Sequence, residues 1–335
     1  MAAELGYLNL NMPTGLIYDK RFGEHDTGVH PERPQRLEAI EQRLSSVGLC
    51  NQMERIAFEP ASLDWVRRVH QPAYIERLHR ACGSGQAAID GPDSAICARS
   101  YDVALLAVGG AMAAADAVMS EMVGNVFCAL RPPGHHAERD RSMGFCLFNN
   151  VAITAEYLRI QHKIERVAIV DFDVHHGNGT QHIFECRDDV LFVSVHEDPE
   201  YLYPGTGYVH ERGQSAGVGF TINLPMDPGS SDGDYHQVFE ETVLPALDQF
   251  NPQALLVSAG FDAAAPDPLG HVALTPAAFQ WMTAQLMQVA EIKCENKLIS
   301  FLEGGYDLQS LADCVEAHVR QLTSLNTCSP KSHLD

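Results

Sequence analysis

The sequence predicts an α/β fold, with one central parallel sheet flanked by helices. Two observations predict it. Beyond residue 125, five short apolar runs, at 126–130, 167–170, 190–195, 254–257 and 298–302, alternate with stretches of helical periodicity. Near-continuous apolar strands separated by helices read as βαβ units buried on both faces. Each run also stops at a polar or glycine-rich segment: Arg-Pro-Pro-Gly-His-His at 131–136, Asp-Phe-Asp-Val-His-His at 171–176, His-Glu-Asp at 196–198, Ser-Ala-Gly-Phe-Asp at 258–262 and Glu-Gly-Gly-Tyr at 303–306. Ligand sites in parallel sheets collect outside the carboxyl ends of the strands, so five polar ends point to one site.

The elements follow in chain order. Pro31-Glu32-Arg33-Pro34 precedes an apolar stripe at Leu37, Ile40, Leu44 and Val47, the spacing of one helix face. Short helices are expected over 63–69 and 72–81. Residues 101–122 read as a buried helix, charged only at Asp102, Asp116 and Glu121. Between the five strands, helices are expected near 149–162, 179–186, 232–250 and 276–291. The last opens with Thr275 as N-cap and Pro276 in the first turn, and its apolar face is Phe279, Met282, Leu286 and Val289. No internal repeat and no Pro/Gly/Ser-rich linker interrupts the chain. Residues 326–335 read as a loose tail.

Composition narrows the function. The 335 residues are 45% apolar and 20% charged, which fits a globular chain with a sizeable core and excludes disorder. Length alone suggests about two domains. The net charge of −21 excludes a role built on binding nucleic-acid phosphates. A negative field favours cationic substrates such as lysine-bearing tails or polyamines, although acidic surfaces also serve solubility alone. Nine scattered cysteines without a C-x-x-C pair indicate a reducing compartment. Residues 1–18 lack the pattern of a signal peptide. The most membrane-like run, Val103–Ala115, is too short to span a bilayer. The expectation is a soluble cytoplasmic protein with no membrane or direct nucleic-acid partner.

Asp171, Asp173 and His175 alternate with Phe172 and Val174, so an extended chain turns all three toward one face. Asp262 adds a carboxylate from another strand end. Two carboxylates and an imidazole, without a thiolate, suit a catalytic Zn²⁺ or Fe²⁺ with an open position. Such a set also occurs as a capped loop. His135 and His136 follow a proline-restricted turn, and tandem histidines serve as a base with an electrostatic partner or as metal ligands. Gly304-Gly305 places the Tyr306 phenol on a flexible turn, from which it can donate to an oxyanion. Asn178 either orients an imidazole or serves a turn. No phosphate-binding G-x-x-x-x-G-K, nucleophile G-x-S-x-G or dinucleotide G-x-G-x-x-G is found.

Together, Arg131-Pro-Pro-Gly-His-His136, Gly144-Phe145-Cys146, Val170 to Gly179, Tyr203-Pro-Gly-Thr-Gly207, Gly260-Phe-Asp262 and Glu303-Gly-Gly-Tyr306 resemble the zinc-dependent histone deacetylases. The resemblance runs from about Gly15 to Leu322. His30-Pro31-Glu32-Arg33-Pro34 and Asn178 resemble the class II branch, because the class I branch usually carries Asp at the latter position. Gly260 to Ala265 is similar to the bacterial histone deacetylase-like amidohydrolases.

The resemblance implies an arginase/deacetylase-like α/β fold and one catalytic domain over residues 14–325. It implies one Zn²⁺ per chain on Asp173, His175 and Asp262, with His136 as general base and acid. His135 would be the electrostatic partner held by Asp171, Asn178 would orient His136, and Tyr306 would polarise the acyl carbonyl. Gly144, Phe145 and Tyr203 would line an acyl-lysine channel, with Asp93 and Leu269 at its rim. A structural K⁺ would sit against Asp171, Asp173, His175, Ser194 and Val195.

The implied reaction is hydrolysis of an acetyl or related short acyl group from the lysine side-chain amine of proteins or peptides. Acetylpolyamine amidohydrolases share most of these motifs. Polyamine-selective relatives carry Glu where this chain has Leu269, which favours acyl-lysine here. An arginase-like dimanganese hydrolase lacks carboxylates for its second metal, since Ala263 to Ala265 follow Asp262. A non-catalytic acyl-lysine binder would have lost Tyr306 or the histidine pair, and both are present. The acyl length, the natural target and homo-oligomer formation are left open.

Overall fold

A computed structural model describes residues 12–324; the expected tail at 326–335 lies outside the described residues. Eight strands form one sheet: β1 (Thr14–Ile17), β2 (Met53–Arg55), β3 (Asn125–Cys128), β4 (Val167–Asp171), β5 (Val190–Glu197), β6 (Thr221–Met226), β7 (Ala254–Ala259) and β8 (Leu298–Leu302). Their order is β2-β1-β3-β8-β7-β4-β5-β6, and every pairing is parallel. Among the described residues, ten α-helices flank the sheet: α1 (Gln35–Ser46), α2 (Leu63–Val69), α3 (Pro72–Gly83), α4 (Ser100–Met119), α5 (Asn150–Gln161), α6 (Asn178–Phe184), α7 (Asp232–Val238), α8 (Leu244–Phe250), α9 (Pro276–Lys293) and α10 (Leu308–Thr323).

The five strands expected from apolar runs are β3, β4, β5, β7 and β8. In the sheet they stand consecutively, as β3-β8-β7-β4-β5. That arrangement places their polar carboxyl ends side by side, although the segments lie far apart in sequence. Strands β1, β2 and β6 were not expected. β1 and β2 have only four and three residues, and β6 is an edge strand that alternates buried and half-buried positions and contains Pro225. Proline is tolerated there because an edge strand leaves one row of amides unpaired.

Helix α10 was also not expected. Its buried face is Leu311, Val315, Val319 and Leu322, and Asp307 caps it by accepting from the Ser310 amide at 2.8 Å. It packs against α9 and α1. The helix expected over 232–250 is α7 and α8 joined by a π-helical turn, Phe239–Val243. Pro245 has no amide hydrogen for the Glu241 carbonyl, which accounts for the widened turn before it.

The apolar run at 103–115 belongs to α4, a longer helix of 20 residues. By length and composition alone it is sufficient to cross a membrane, which corrects the expectation from 13 residues. Most of it is buried inside the fold. Gly109 and Gly110 let the 58–61 segment and Ile17 pass close, where a Cβ would meet Glu59, Phe58 and Ile17 atoms.

Beneath the sheet's carboxyl edge lies a buried charged cluster. Arg131 forks onto both Glu32 oxygens, with Nη2–Oε2 at 2.8 Å, and donates to the Phe22 and His25 carbonyls. Arg36 Nη1 reaches Glu32 Oε1 at 3.3 Å. Burial pushes the Glu32 carboxyl up, but the guanidiniums outweigh it and hold it at about 2. Burial pushes the His25 imidazole down to about 4. Both values lie below those of the unfolded chain. Their stabilisation is therefore complete above about pH 6.5 and is lost on acidification, from His25 first and then, below about 4.5, from Glu32. Glu32→Gln leaves Arg131 without its charge partner and should lower stability by about 3 kcal/mol at neutral pH. Urea unfolding at pH 7 and pH 4 reads this effect. A variant as stable as the parent at pH 7 would contradict it.

Candidate active site

β4 carries Asp171 as its last residue, and Phe172 and Val174 bury their side chains beyond it. Asp171, Asp173 and His175 therefore face the rim. Phe261 packs on Phe172 at 6.3 Å and brings Asp262 beside them. The Val174 amide donates to Asp262 Oδ1 at 3.0 Å, the His175 amide to Asp173 Oδ1 at 2.9 Å and the Gly304 amide to Asp173 Oδ2 at 2.8 Å. One ligand atom from each of Asp173, His175 and Asp262 lies within 4.8 Å of the others, and all three residues are buried.

This set fits a divalent ion of zinc's type. It offers two hard anionic oxygens and an imidazole, with no thiolate, and leaves a coordination position free. His175 Nδ1 lies 3.0 Å from Asp173 Oδ1 and 3.2 Å from Asp262 Oδ2, so one nitrogen already faces both carboxylates. Burial, reinforced by Asp173, pushes the Asp262 carboxyl up, the penalty that a bound cation would relieve. The cradle also depends on glycines. A Cβ at Gly260 would collide with the Asp173 carboxylate, and one at Gly304 with the Asp262 carboxylate. Asp171 and Ser194 are register partners on β4 and β5, with Val195 next along β5, so the residues expected around K⁺ share one strand pair's end.

The histidine pair is fixed from the neighbouring strand β8. Glu303 Oε2 accepts from the Gly134 amide at 2.7 Å and the His135 amide at 3.2 Å, while Ser258 Oγ donates to Oε1 at 3.2 Å. His135 Nδ1 donates to Asp171 Oδ2 at 3.0 Å. Burial lowers the His135 pKa, but Asp173 and Asp171 overcome it and raise it to about 10, so His135 is an imidazolium. The His136 ring lies 4.0 Å from it, and His136 Nδ1 meets Asn178 Oδ1 at 2.7 Å. Burial first, then the charges of His135 and His175, push His136 well below the ordinary value. Its Nδ1 donates to an amide oxygen, which leaves a neutral ring with a free lone pair on Nε2. Gly144, at φ +51°, passes so close to this ring that a Cβ would strike it.

A cavity of about 250 Å³ opens over this floor. Its lining is His136, His175 and Tyr306 below, Gly144, Phe145, Leu202, Tyr203 and Leu269 along the walls, and Asp93. Asp93 Oδ2 accepts from the Gly144 amide at 3.0 Å and the Tyr203 hydroxyl at 3.3 Å. Phe145 and Tyr203 present aromatic faces, as a slot for an alkyl chain requires.

The turn that carries Tyr306 is pinned, contrary to the flexibility expected from its two glycines. Arg36 Nε donates to the Gly305 carbonyl at 2.7 Å and Nη2 to the Glu303 carbonyl at 2.5 Å, and its guanidinium lies 5.0 Å from the Tyr306 ring centroid. Asp267 accepts from the Tyr306 amide at 2.6 Å, the Asp307 amide at 3.2 Å and the Leu269 amide at 3.1 Å. Burial, then Asp262, push the Tyr306 phenol well up, so it remains an O–H donor.

Of the residues singled out in the sequence, Asp93, His136, Gly144, Phe145, His175, Tyr203, Leu269 and Tyr306 line the cavity; His135, Asp171, Asp173, Asn178 and Asp262 are buried around its floor, and Ser194 and Val195 are buried on β5. Those missed are Leu202 in the wall, Arg36 and Asp267 behind Tyr306, and the supporting role of the Glu303 carboxylate. Arg36 reads from sequence as an ordinary helix residue four after Glu32. Its bond to Gly305 spans 269 residues, and no local pattern signals it.

The family described as "Histone deacetylase domain" matches residues 30–322. The chain is similar to a "Probable deacetylase" of Archaeoglobus fulgidus, 40% identical over 301 residues, covering 89% of this chain and 82% of that protein. It is similar to the "Histone deacetylase-like amidohydrolase" of Pseudomonas aeruginosa, 38% identical over 298 residues, covering 89% and 78%. The crystal structure of the HDA15 HD domain superposes with a TM-score of 0.88 at 36% identity, covering 95% of this chain and 91% of that one. With its eight-stranded arginase/deacetylase fold and a family match over most of its length, the chain belongs to the histone deacetylase family and is a hydrolytic deacetylase.

Proposed function

We propose that the protein is a zinc-dependent amidohydrolase that removes acetyl or related short acyl groups from lysine side chains of proteins or peptides, in the cytoplasm. The observation that carries this reading is the cavity itself. A slot walled by Phe145 and Tyr203 ends on His136, Tyr306 and the Asp173–His175–Asp262 set. One Zn²⁺ per chain would be held by those three residues, and a K⁺ by Asp171, Asp173, His175, Ser194 and Val195. Bound zinc supplies Lewis acidity toward the amide oxygen and lowers the pKa of the attacking water.

The protein's own groups do the rest. Phe145 and Tyr203 pack on the lysine methylenes and exclude water, and Asp93 sits where the substrate backbone arrives. His136 Nε2 takes the proton of the attacking water and returns one to the leaving amine nitrogen. Asn178 keeps the opposite ring nitrogen protonated. His135, charged and held by Asp171, limits the proton affinity of His136, so the proton is passed on. The Tyr306 hydroxyl donates to the amide oxygen as negative charge develops there.

The test is a panel of acyl-lysine peptides and acetylpolyamines turned over by the purified protein. This reading requires a higher kcat/KM on an acyl-lysine peptide, and a higher value on acetylpolyamines would overturn the choice of substrate. Leu269 lines the cavity wall and is apolar. Leu269→Glu would place a carboxylate where the second ammonium of a polyamine passes. The ratio of kcat/KM on acetylpolyamine to that on acetyl-lysine should rise about fivefold, the equivalent of one exposed ion pair of ~1 kcal/mol. An unchanged ratio would remove Leu269 from substrate selection.

A further inference from the structure

We propose that Glu138, anchored by His182, is a positioning residue that sets the tautomer of His136 by fixing which way the Asn178 amide points. The proposal rests on the reading of His136 as the base and extends it to a residue outside the cavity.

An Asn side chain has one acceptor end and one donor end, and either can face a neighbour. If Oδ1 faces His136, Nδ1 of the ring must carry the proton and Nε2 is a free base. If Nδ2 faces it, Nδ1 must be the acceptor, the proton sits on Nε2, and the base is lost. Asn178 Oδ1 lies 2.7 Å from His136 Nδ1. What holds that orientation is at the other end of the amide. Asn178 Nδ2 makes its short bond to Glu138 Oε1 at 2.6 Å, where a carboxylate can only accept, and a longer one to the His136 carbonyl at 3.4 Å. The flipped amide would point Oδ1 at Oε1, two acceptors at contact distance.

Glu138 is itself built in. Its side chain is 8% exposed, and Oε1 also accepts from His182 Nδ1 at 2.7 Å. His182 is four residues after Asn178 on α6, so both present to Glu138 from one helix face. The Glu138 carbonyl accepts from His70 Nδ1 at 2.7 Å, and its amide donates to the Arg141 carbonyl at 3.0 Å. The chain of contacts therefore runs from the catalytic ring through Asn178 and Glu138 to a half-exposed histidine. Glu138 is absent from the cavity lining, so its effect on catalysis must pass through Asn178.

The logic yields a rescue. A carboxylate at position 178 has two equivalent oxygens and accepts from His136 Nδ1 in either rotamer, so it needs no orienting partner. Glu138→Ala should lower kcat on an acetyl-lysine peptide by about 10- to 100-fold with KM unchanged, the range for loss of a supporting partner. Glu138→Gln keeps an acceptor for Asn178 Nδ2 and should stay within about threefold of the parent. The double variant Glu138→Ala/Asn178→Asp should recover most of what Glu138→Ala loses, an outcome that a purely structural role does not give. Glu138→Met repeats the acceptor loss with side-chain length kept, and thermal melts report folding.

Nitrogen-15 NMR of labelled histidine reads the tautomer without reference to turnover: Nδ1–H on His136 in the parent, and Nε2–H populated in Glu138→Ala and Glu138→Met. If the parent fails to turn over acyl-lysine, the functional reading fails while the NMR still decides the role of Glu138. Unchanged His136 shifts in both Glu138→Ala and Glu138→Met, or a double variant no better than Glu138→Ala, would overturn the proposal.

Discussion

His136→Ala is expected to lower kcat by roughly 10²–10⁴-fold, the usual contribution of a positioned general base and acid. No neighbour can replace it. His135 Nδ1 is engaged by Asp171 at 3.0 Å, and Asp173 and Asp171 raise its pKa to about 10, far from that of a base poised for proton return. His175 Nδ1 already faces two carboxylates. The Tyr306 phenol is pushed well above its usual value and acts as a donor. KM should change little, because Phe145 and Tyr203 supply most of the contact with the alkyl chain. The measurement is kcat and KM on the best acyl-lysine peptide, with metal content checked on the same sample. A variant within tenfold of the parental kcat would mean that the proton is handled elsewhere.

Tyr306→Phe should cost on the order of 10²–10³ in kcat, about 3–4 kcal/mol, the loss typical of one oxyanion donor. The substitution removes only an oxygen. The ring stays against Arg36 and, 5.7 Å away, against Phe145, and the pinning of the turn runs through backbone groups held by Arg36 and Asp267. Stability, metal content and KM should therefore match the parent. If the hydroxyl matters only to packing, the variant will lose stability and keep its rate. A Phe variant with near-parental kcat would remove Tyr306 from the reaction.

The two substitutions differ in how their residues could be read from sequence. His136 stands in a proline-restricted turn after an apolar strand, and Asp171, Asp173 and His175 alternate beyond another. Both patterns are local, so the chemistry-bearing residues are legible. Tyr306 was readable as an oxyanion donor from its place after two glycines, but that pattern is weak alone, and the resemblance gave it its role in polarising the acyl carbonyl. Asp171 and Asn178, which hold the histidine pair, were named from the sequence; the supports behind Tyr306 and the 134–135 turn were not. Arg36, Glu303 and Asp267 act over separations of 39 to 269 residues, and their effect depends on which strands become neighbours.

The fold divides similarly. β4 and β7 are central, and their unbroken apolar runs mark them. β1 is equally buried, but it opens with Thr14-Gly15, so only Leu16 and Ile17 mark it as an apolar run. The apolar face of α10 does have helical spacing, and Asp307 is a cap signal.

The proposed reaction depends on the cradle formed by Asp173, His175 and Asp262. The most direct test strips metal from the purified protein with a chelator, removes the chelator and titrates Zn²⁺ back while hydrolysis of an acetyl-lysine peptide is followed. The account predicts negligible turnover in the stripped protein and recovery that saturates at one Zn²⁺ per chain. Turnover that persists at the parental rate in metal-free protein, or saturation only at two ions per chain, would contradict it.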